Sequence, residues 1–291
     1  MNASTITRLT LTGATVLALA ACASTTKPGV VGVQRQQMML VSADTVERMA
    51  LVSYTRQNRD AQQAGKLVTK GAELERLKRI ATRLQAQVGT FRDDAAKWHW
   101  QVSLIDAPVQ NATCAPGGKI TFYTGLVRQL KMTDDEIAIV MGHEIAHALR
   151  EHGRERVSQA YAQNALTTTA LAAAPNSAAQ IEAANTVAHY LYMLPNSRQN
   201  ESEADAMGLE LAARAGYKPE ASVAVWRKMQ AQDKGRQPAQ FTSTHPSHET
   251  RITELTAMLP KVTPLYRAAA VSATPAAMPP PTAQSSSRRS Q

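Results

Sequence analysis

The sequence predicts an α+β fold that is mainly helical, with a small antiparallel sheet beside one buried helix. Two observations support this fold class. In several long segments, apolar residues recur at intervals of three and four, which is the spacing of helices that bury one face. In one region, residues 98–123, the pattern changes to the alternation typical of half-buried strands. At 291 residues, the chain can bury a sizeable core.

The N-terminus has the pattern of a bacterial secretion signal. Arg8 precedes an apolar stretch, residues 9–21, that is shorter than the roughly 20 residues needed by a membrane-spanning helix. The stretch ends in Leu-Ala-Ala followed by Cys22, which resembles the lipobox, in which the cysteine is lipidated and becomes the mature N-terminus. An ordinary signal with Ala-x-Ala cleavage is the alternative. We therefore expect Cys22 to carry a lipid.

The residues that follow Cys22 lead to an expected location. Cys22 is followed by Ala23 and Ser24 and not by an aspartate. In this respect the chain resembles Gram-negative lipoproteins that are sorted to the outer membrane. The predicted location is the cell envelope, with the protein anchored in the outer membrane and facing the periplasm. Residues 1–21 are expected to form the signal peptide, and residues 22–36 a lipidated tether.

The cysteine content argues against an internal disulfide, and the charge pattern argues against nucleic-acid binding. If Cys22 is lipidated, Cys114 is the one thiol left, so no internal disulfide can form. We expect Cys114 to be a small buried hydrophobe rather than a reactive thiol. The net charge of +9 comes from scattered basic residues without a basic stripe interleaved with aromatic residues, which argues against nucleic-acid binding. An anionic membrane surface or a general effect on solubility fits this charge better.

Two helices and three strands are predicted ahead of the most informative segment. The helices span residues 37 to about 63 and the region containing Leu74, Leu77, Ile80, Leu84 and Val88. The strands cover residues 98–104, 111–114 and 120–123, with a turn at Pro116-Gly117-Gly118. The edge of such a sheet can accept an extended peptide as a further strand.

The most informative segment is a helix that contains the pattern His-Glu-x-x-His. Residues 133–136, Thr-Asp-Asp-Glu, form a capping box that predicts the helix start, and Gly153 is the expected stop. On a helix, His143 and His147 project from one face, so both can reach one metal ion. Glu144 is then placed to take a proton from an attacking water. The alternative is an ordinary buried helix, in which Glu144 would be costly to bury without a partner.

The remainder of the chain is predicted to be helical with polar connections. Residues 161–188 are expected to form two weak helices around a loop at Pro175, with too many polar residues for a membrane span. Further helices are predicted from Pro195 to Gly216, after Pro219, and from about His248 to Leu259, with a loop at residues 234–238. The main domain is expected to span residues 37–265, followed by a disordered Ala/Pro/Ser-rich tail at residues 266–291.

A catalytic zinc site needs a third protein ligand. His152 lies five residues after His147, on another side of a continued helix, and is expected at the surface. Glu201 and Asp205 are four residues apart and share a helix face, whereas Glu203 points in roughly the opposite direction. One of the two carboxylates that share a face could bind the metal while the other orients a histidine through its ring N–H. A solvated acidic face is the alternative.

The order of several motifs resembles one known family. The motifs are Gly142-His143-Glu144-Ile145-Ala146-His147-Ala148, Ser197-Arg198-x-x-Glu201-x-Glu203-Ala204-Asp205-x-x-Gly208, Ala215-Gly216-Tyr217-x-Pro219 and Thr244-His245-Pro246. Together they resemble the HtpX/CAAX-prenyl-protease zinc metallopeptidases of peptidase family M48, and among these the soluble LoiP-like bacterial lipoproteins. The resemblance covers roughly residues 37–259. The chain lacks the spanning helices of the integral-membrane branches, so prenylated substrates are not implied.

The resemblance implies a gluzincin-type fold and a set of site residues. It implies that His143, His147 and Glu201 bind one Zn²⁺ per subunit, that Glu144 is the general base, and that Asp205 supports a ligand from behind.

Two further residues match family positions near the metal. His245 matches a histidine that can approach the metal, either to keep the enzyme latent or to aid catalysis, and a loop residue flanking a helix is the alternative. Arg251 matches a nearby arginine. Together with Tyr190, these two residues are candidates for stabilising the oxyanion, whereas His248 is expected to be a bystander.

The expected function is zinc-dependent endopeptide hydrolysis that removes misfolded envelope or outer-membrane proteins. The expected partners are unfolded or misassembled polypeptides, the membrane through the N-terminal lipid, and the outer-membrane assembly machinery. A zinc-containing chaperone for outer-membrane proteins with little proteolysis is the main alternative, and a purely structural lipoprotein is a third. The intact Glu144 favours an enzyme.

Overall fold

The computed structural model describes residues 22–163, 178–233, 240–245 and 249–273. Its strands are β1 (Cys22–Ala23), β2 (Gln37–Met38), β3 (Leu67–Val68), β4 (Gln101–Ile105), β5 (Ala112–Ala115) and β6 (Lys119–Tyr123). Its helices are α1 (Ala43–Gln63), α2 (Ala72–Gln85), α3 (Thr124–Gln129), α4 (Asp134–Leu149), α5 (His152–Gln163), α6 (Ala178–Ala188), α7 (Arg198–Arg214), α8 (Ala221–Asp233), α9 (Gln240–Thr244) and α10 (Glu249–Ala273). Short 3₁₀ turns at Val88–Thr90 and Asp94–Lys97 precede β4, and a π-helical turn, His189–Met193, follows α6.

The fold class is confirmed, because the chain is mainly helical and its small sheet lies beside α4. The sheet has the order β3-β4-β6-β5. The expectation that it is antiparallel throughout is corrected at its centre, where β4 and β6 are parallel. The chain reverses once between β4 and β5 and again at Gly117-Gly118, so β6 runs in the direction of β4 and inserts beside it. β5 is left at the edge of the sheet.

Helix α4 is the centre of the core. The predicted capping box is present: the side chain of Thr133 accepts from the N–H of Glu136, and the side chain of Glu136 accepts from the N–H of Thr133. Every residue from Glu136 to Leu149 is buried. Helix α7 crosses α4 at Gly142 and Gly208, where the backbones touch. A Cβ placed on Gly208 would lie 2.6 Å from the backbone N of His143.

The predicted stop of the central helix at Gly153 is wrong. Helix α4 ends at Leu149, and Glu151 has a φ of 52°. This left-handed residue turns the chain sharply, and Gly153 then belongs to α5. The reversal brings the start of α5 back against the end of α4.

Other boundaries also differ from the predictions. Helix α2 ends at Gln85, so Val88 lies in the 3₁₀ turn that follows it. Helix α1 begins at Ala43, because Ser42 caps it, and the residues before it include β2. Strand β4 begins at Gln101, after Trp98 and Trp100. The last helix continues beyond Leu259, through Pro260 and Pro264, to Ala273. Proline removes a backbone donor, but the burial of Leu255 and Val262 in the core outweighs this loss.

The predicted tether, residues 22–36, lies against the helices. The backbone N–H groups of Val30 and Val31 donate to Oε2 of Glu210, at 2.9 and 3.1 Å. Val33 is buried, and Arg35 forms ion pairs with Glu155 and Glu203. The segment is therefore part of the packed structure.

Some predictions fall outside the described residues. These are the signal peptide at residues 1–21, the loops at Pro175 and residues 234–238, the bystander His248, and the part of the predicted tail that follows residue 273. The first part of that predicted disordered tail, residues 266–273, is corrected, because it belongs to α10. Within the described ranges, no helix combines the length and the apolar character needed to cross a membrane.

Candidate metal centre

Four buried side chains converge at one point. His143 and His147 come from α4, Glu201 from the first turn of α7, and His245 from the residue after α9. One donor atom from each lies within 4.8 Å of the others. Nε2 of His143 is 3.0 Å from Nε2 of His147 and 3.2 Å from Nδ1 of His245. The i, i+4 spacing on α4 and the crossing of α7 thus produce one cluster.

The chemistry of this donor set fits one zinc ion. Imidazole nitrogens and a carboxylate oxygen are the ligands that zinc prefers, and four of them would fill its usual tetrahedral shell. Burial raises the pKa of Glu201, but His245 and the hydrogen bonds from His143 and His147 outweigh this effect and hold the pKa well below its usual value. The carboxylate is therefore ionised, as metal binding requires.

Glu144 lies beside the cluster in the state that a general base needs. Burial raises its pKa to about 7, and the charge of Glu201 adds to this, while His245 opposes it. Its Oε1 is buried without a hydrogen-bond partner among the described residues and lies 3.5 Å from Nε2 of His245. A carboxylate with a pKa near the working pH can both accept and return a proton.

Asp205 and Arg251 hold His143 from behind. Oδ1 of Asp205 accepts from Nδ1 of His143 at 3.0 Å, which leaves Nε2 for the metal. Arg251 binds both oxygens of Asp205, and its Nη2 lies 2.9 Å from Oε2 of Glu201. Its guanidinium also stacks on Trp226, 3.7 Å from the ring centroid. This position suits charge compensation behind the ligands better than contact with a reacting carbonyl.

A small cavity opens next to Glu144. Its volume is about 40 Å³, and its lining includes Glu144, His147, His245 and Tyr192. This is enough room for at least one water molecule. A larger cavity of about 400 Å³ shares Thr113 and Tyr192 with it.

The candidate oxyanion residue Tyr190 is placed elsewhere. Its carbonyl oxygen accepts from Nε of Arg156, and its ring pairs with His189. Tyr192, two residues later, is the tyrosine that lines the small cavity. The π-helical turn decides which of the two faces the site, and the sequence gives no signal for that turn.

The thiol of Cys114 behaves as expected. It is free and buried on β5, and burial raises its pKa well above the usual value. The thiol therefore stays protonated, which fits a small buried hydrophobe.

The expectation that His152 is a surface residue is wrong. Its side chain is fully buried, with Nδ1 2.8 Å from Nδ1 of His147 and Nε2 3.1 Å from Oε2 of Glu203. Glu203, expected to point in roughly the opposite direction from Glu201 and Asp205, makes this second contact. The left-handed residue Glu151 explains the error for His152, because it turns α5 back towards α4. Spacing on a continuous helix could not have shown this, because the turn is made at Glu151 and not at the glycine that follows at position 153.

Comparison with known proteins gives one family match. The model of peptidase family M48 matches residues 72–259. The chain is 33% identical over 168 residues to the mitochondrial metalloendopeptidase OMA1 of Schizosaccharomyces pombe, covering 56% of this chain and 47% of that protein. It is 36% identical over 152 residues to OMA1 of Arabidopsis thaliana, covering 52% of this chain and 30% of that protein.

A bacterial relative is more distant in sequence. The β-barrel assembly-enhancing protease of Escherichia coli is 27% identical over 169 residues, covering 55% of this chain and 34% of that protein. In each of these three comparisons, the matched region spans less than half of the relative's length.

Proposed function

Because the chain belongs to peptidase family M48, we propose that it is a zinc-dependent endopeptidase. The observation that carries this proposal is the convergence of His143, His147 and Glu201 directly beside Glu144. Two imidazoles, one carboxylate and an adjacent base are what metal-assisted peptide hydrolysis needs. A site that only stabilises the fold has no need of a buried carboxylate oxygen without a hydrogen-bond partner beside the ligands.

Each residue of the site has its own role in the proposed reaction. Zinc, when bound by His143, His147 and Glu201, supplies a Lewis acid. Glu144 takes a proton from the attacking water and delivers it to the leaving amine. Asp205 keeps the proton of His143 on Nδ1, so that Nε2 stays available as a ligand. Burial of the site strengthens each of these electrostatic contacts.

The edge of the sheet suits a polypeptide substrate. The N–H of Tyr123 donates to the carbonyl of Asn111, which sets the alternation of hydrogen bonds between β5 and β6. By this alternation, the backbone groups of Cys114 point away from β6, towards the open edge. Thr113 and Cys114 line the small cavity together with Glu144. An extended peptide that pairs with β5 would therefore pass beside the base.

The proposed setting is the bacterial envelope. The lipobox-like ending at Cys22 supports a lipid anchor that faces the periplasm. The E. coli relative named as a β-barrel assembly-enhancing protease supports β-barrel proteins of the outer membrane as the substrate class. That the misfolded ones are the targets is our own proposal. We place the enzyme in quality control of envelope proteins, with the outer-membrane assembly machinery as a partner.

Glu144→Gln tests the proposed activity. The variant should retain zinc and lose casein hydrolysis by about 100-fold or more, because the proton acceptor is gone. Glu75→Gln, on an exposed carboxylate of α2, is the matched control and should keep the wild-type rate. Full activity of Glu144→Gln would reject the role of Glu144.

The same variant separates the enzyme from the chaperone alternative in cells. Turnover of a misfolded porin should slow when Glu144→Gln replaces the wild type. Equal turnover and equal assembly with both proteins would favour a zinc-containing chaperone that does not cut its clients.

A further inference from the structure

The two histidines of α4 are held by different groups. Nδ1 of His143 contacts a carboxylate directly, that of Asp205. Nδ1 of His147 contacts another imidazole, that of His152, at 2.8 Å. The far nitrogen of His152 then lies 3.1 Å from Oε2 of Glu203. All of these side chains are buried.

The chemistry of these groups fixes the direction of each hydrogen bond. The Glu203 carboxylate can only accept, so Nε2 of His152 carries the proton and donates it. In the neutral ring, Nδ1 of His152 is then an acceptor, and Nδ1 of His147 must donate to it. His147 consequently presents an unprotonated Nε2, which lies 3.3 Å from Oε1 of Glu201.

Two arginines hold the carboxylate of Glu203 in place. Arg150, which is fully buried, donates to its Oε2 from Nε at 3.0 Å and from Nη2 at 2.9 Å. Arg35, from the segment at residues 22–36, donates to its Oε1 from Nε at 2.7 Å. Arg35 also pairs with Glu155. The carboxylate that orients His152 therefore cannot swing away.

We infer that His152 and Glu203 form a relay that positions His147 for metal binding. The relay selects the tautomer of His147 and prevents its ring from flipping, which is the task that Asp205 performs for His143. All three acidic residues of the Glu201–Asp205 segment then serve the metal centre. Glu201 is a ligand, Asp205 holds His143, and Glu203 holds His147 through His152. His152 is a positioning residue, since it acts through His147.

Two substitutions of His152 separate positioning from simple packing. In His152→Asn, the amide oxygen replaces Nδ1 and can still accept from His147, but the contact with Glu203 is lost. In His152→Gln, the amide nitrogen replaces Nε2 and can still donate to Glu203, but the acceptor for His147 is lost. If His152 only satisfied a buried carboxylate, the glutamine variant would be the better substitute.

The measurement is zinc affinity by competition with a chromophoric chelator, together with the visible spectrum of the cobalt-substituted protein. His152→Gln should weaken zinc binding by about 10- to 100-fold, as expected for loss of a group behind a ligand. His152→Asn should stay within about threefold of the wild type and keep its cobalt spectrum. Wild-type affinity in both variants, or weaker binding by His152→Asn than by His152→Gln, would overturn the inference.

Glu155→Gln is the matched control for the surrounding ion network. Glu155 contacts Arg35 and Gln37, and its carboxylate makes no hydrogen bond to His152 in the described structure. Glu155→Gln should lower the melting temperature and leave zinc affinity unchanged. Weakening of zinc binding as large as that of His152→Gln would show that network stability explains the effect, and would refute the relay.

The inference rests on the proposed zinc centre but not on proteolysis. A wild-type chain that binds zinc without cutting casein would refute the peptidase and leave the relay to be decided by the affinities. A wild-type chain that binds no zinc would refute both. If His152→Gln does not fold, His152→Asn decides alone, since a cobalt spectrum different from that of the wild type would overturn the relay.

Discussion

At the scale of single residues, the unusual feature of the site is its fourth donor. Nδ1 of His245 lies 3.1 Å from Oε1 of Glu201, and the His245 ring stacks against Phe241. These two contacts hold the ring within the cluster. A catalytic zinc normally keeps one position open to water, whereas four protein ligands describe a closed site. We propose that this arrangement is a latent state, in which His245 would have to leave to make room for a water at the metal.

His245→Ala tests this latency. Three protein ligands remain in the variant, so it should retain about one zinc and hydrolyse casein faster than the wild type. Zinc content and initial rates on the same preparation give the comparison. His99→Ala, an exposed histidine before β4, is the control and should match the wild type. A fall in rate at full zinc content would show instead that His245 aids catalysis.

The sequence predicts the roles of some residues better than others. His143 and His147 could be paired from their spacing alone, because both lie on one uninterrupted helix. Helix geometry left two candidates for the third metal ligand, Glu201 and Asp205. The family resemblance then selected Glu201. His152 was placed wrongly, since its contact with Glu203 depends on the left-handed turn at Glu151.

At the scale of elements, the metal centre depends on how closely α4 and α7 approach. Gly142 and Gly208 allow backbone contact, and a Cβ on Gly142 would lie 2.8 Å from the carbonyl oxygen of Gly208. This contact brings Glu201 and Asp205 of α7 within reach of the histidines on α4. Any side chain at the crossing would separate ligands that come from different helices.

Gly208→Ala tests the importance of this crossing. In an open helix, Gly to Ala stabilises by about 1 kcal/mol. Here the added methyl would overlap the backbone of His143, and we expect a loss of about 1–3 kcal/mol in the free energy of unfolding. Zinc affinity should fall with it. Urea unfolding measures the sign, and Gly89→Ala, where a Cβ meets nothing within 4 Å, is the control. A stabilised Gly208→Ala with normal zinc affinity would contradict the account.

Two helix starts could be predicted from local interactions. Thr133 and Ser197 cap their helices with side-chain oxygens, which is a local interaction that the sequence shows directly. The end of the last helix, predicted at Leu259, was missed because the burial of Val262 against the core depends on residues distant in sequence. The parallel pairing of β4 with β6 also depends on two successive reversals, which local patterns do not specify.

At the scale of the whole molecule, the N-terminal segment is tied to the outer layer of the metal centre. Arg35 reaches both Glu155 on α5 and Glu203 on α7, and Gln37 donates to the carbonyl oxygen of Arg150. The proposed lipid anchor at Cys22 therefore precedes a segment that packs beside the metal-binding helices. Family membership and the metal-binding chemistry follow from the matched domain, whereas the anchor, the location and the substrates remain proposals.

The central claim is that α4 and α7 together form a zinc centre. Elemental analysis of purified wild type, His143→Ala and His99→Ala tests it most directly. The account predicts about one zinc per chain in the wild type and in His99→Ala, and none in His143→Ala, because that variant loses a ligand from α4. Wild-type protein without zinc, or His143→Ala with its full zinc content, would contradict it.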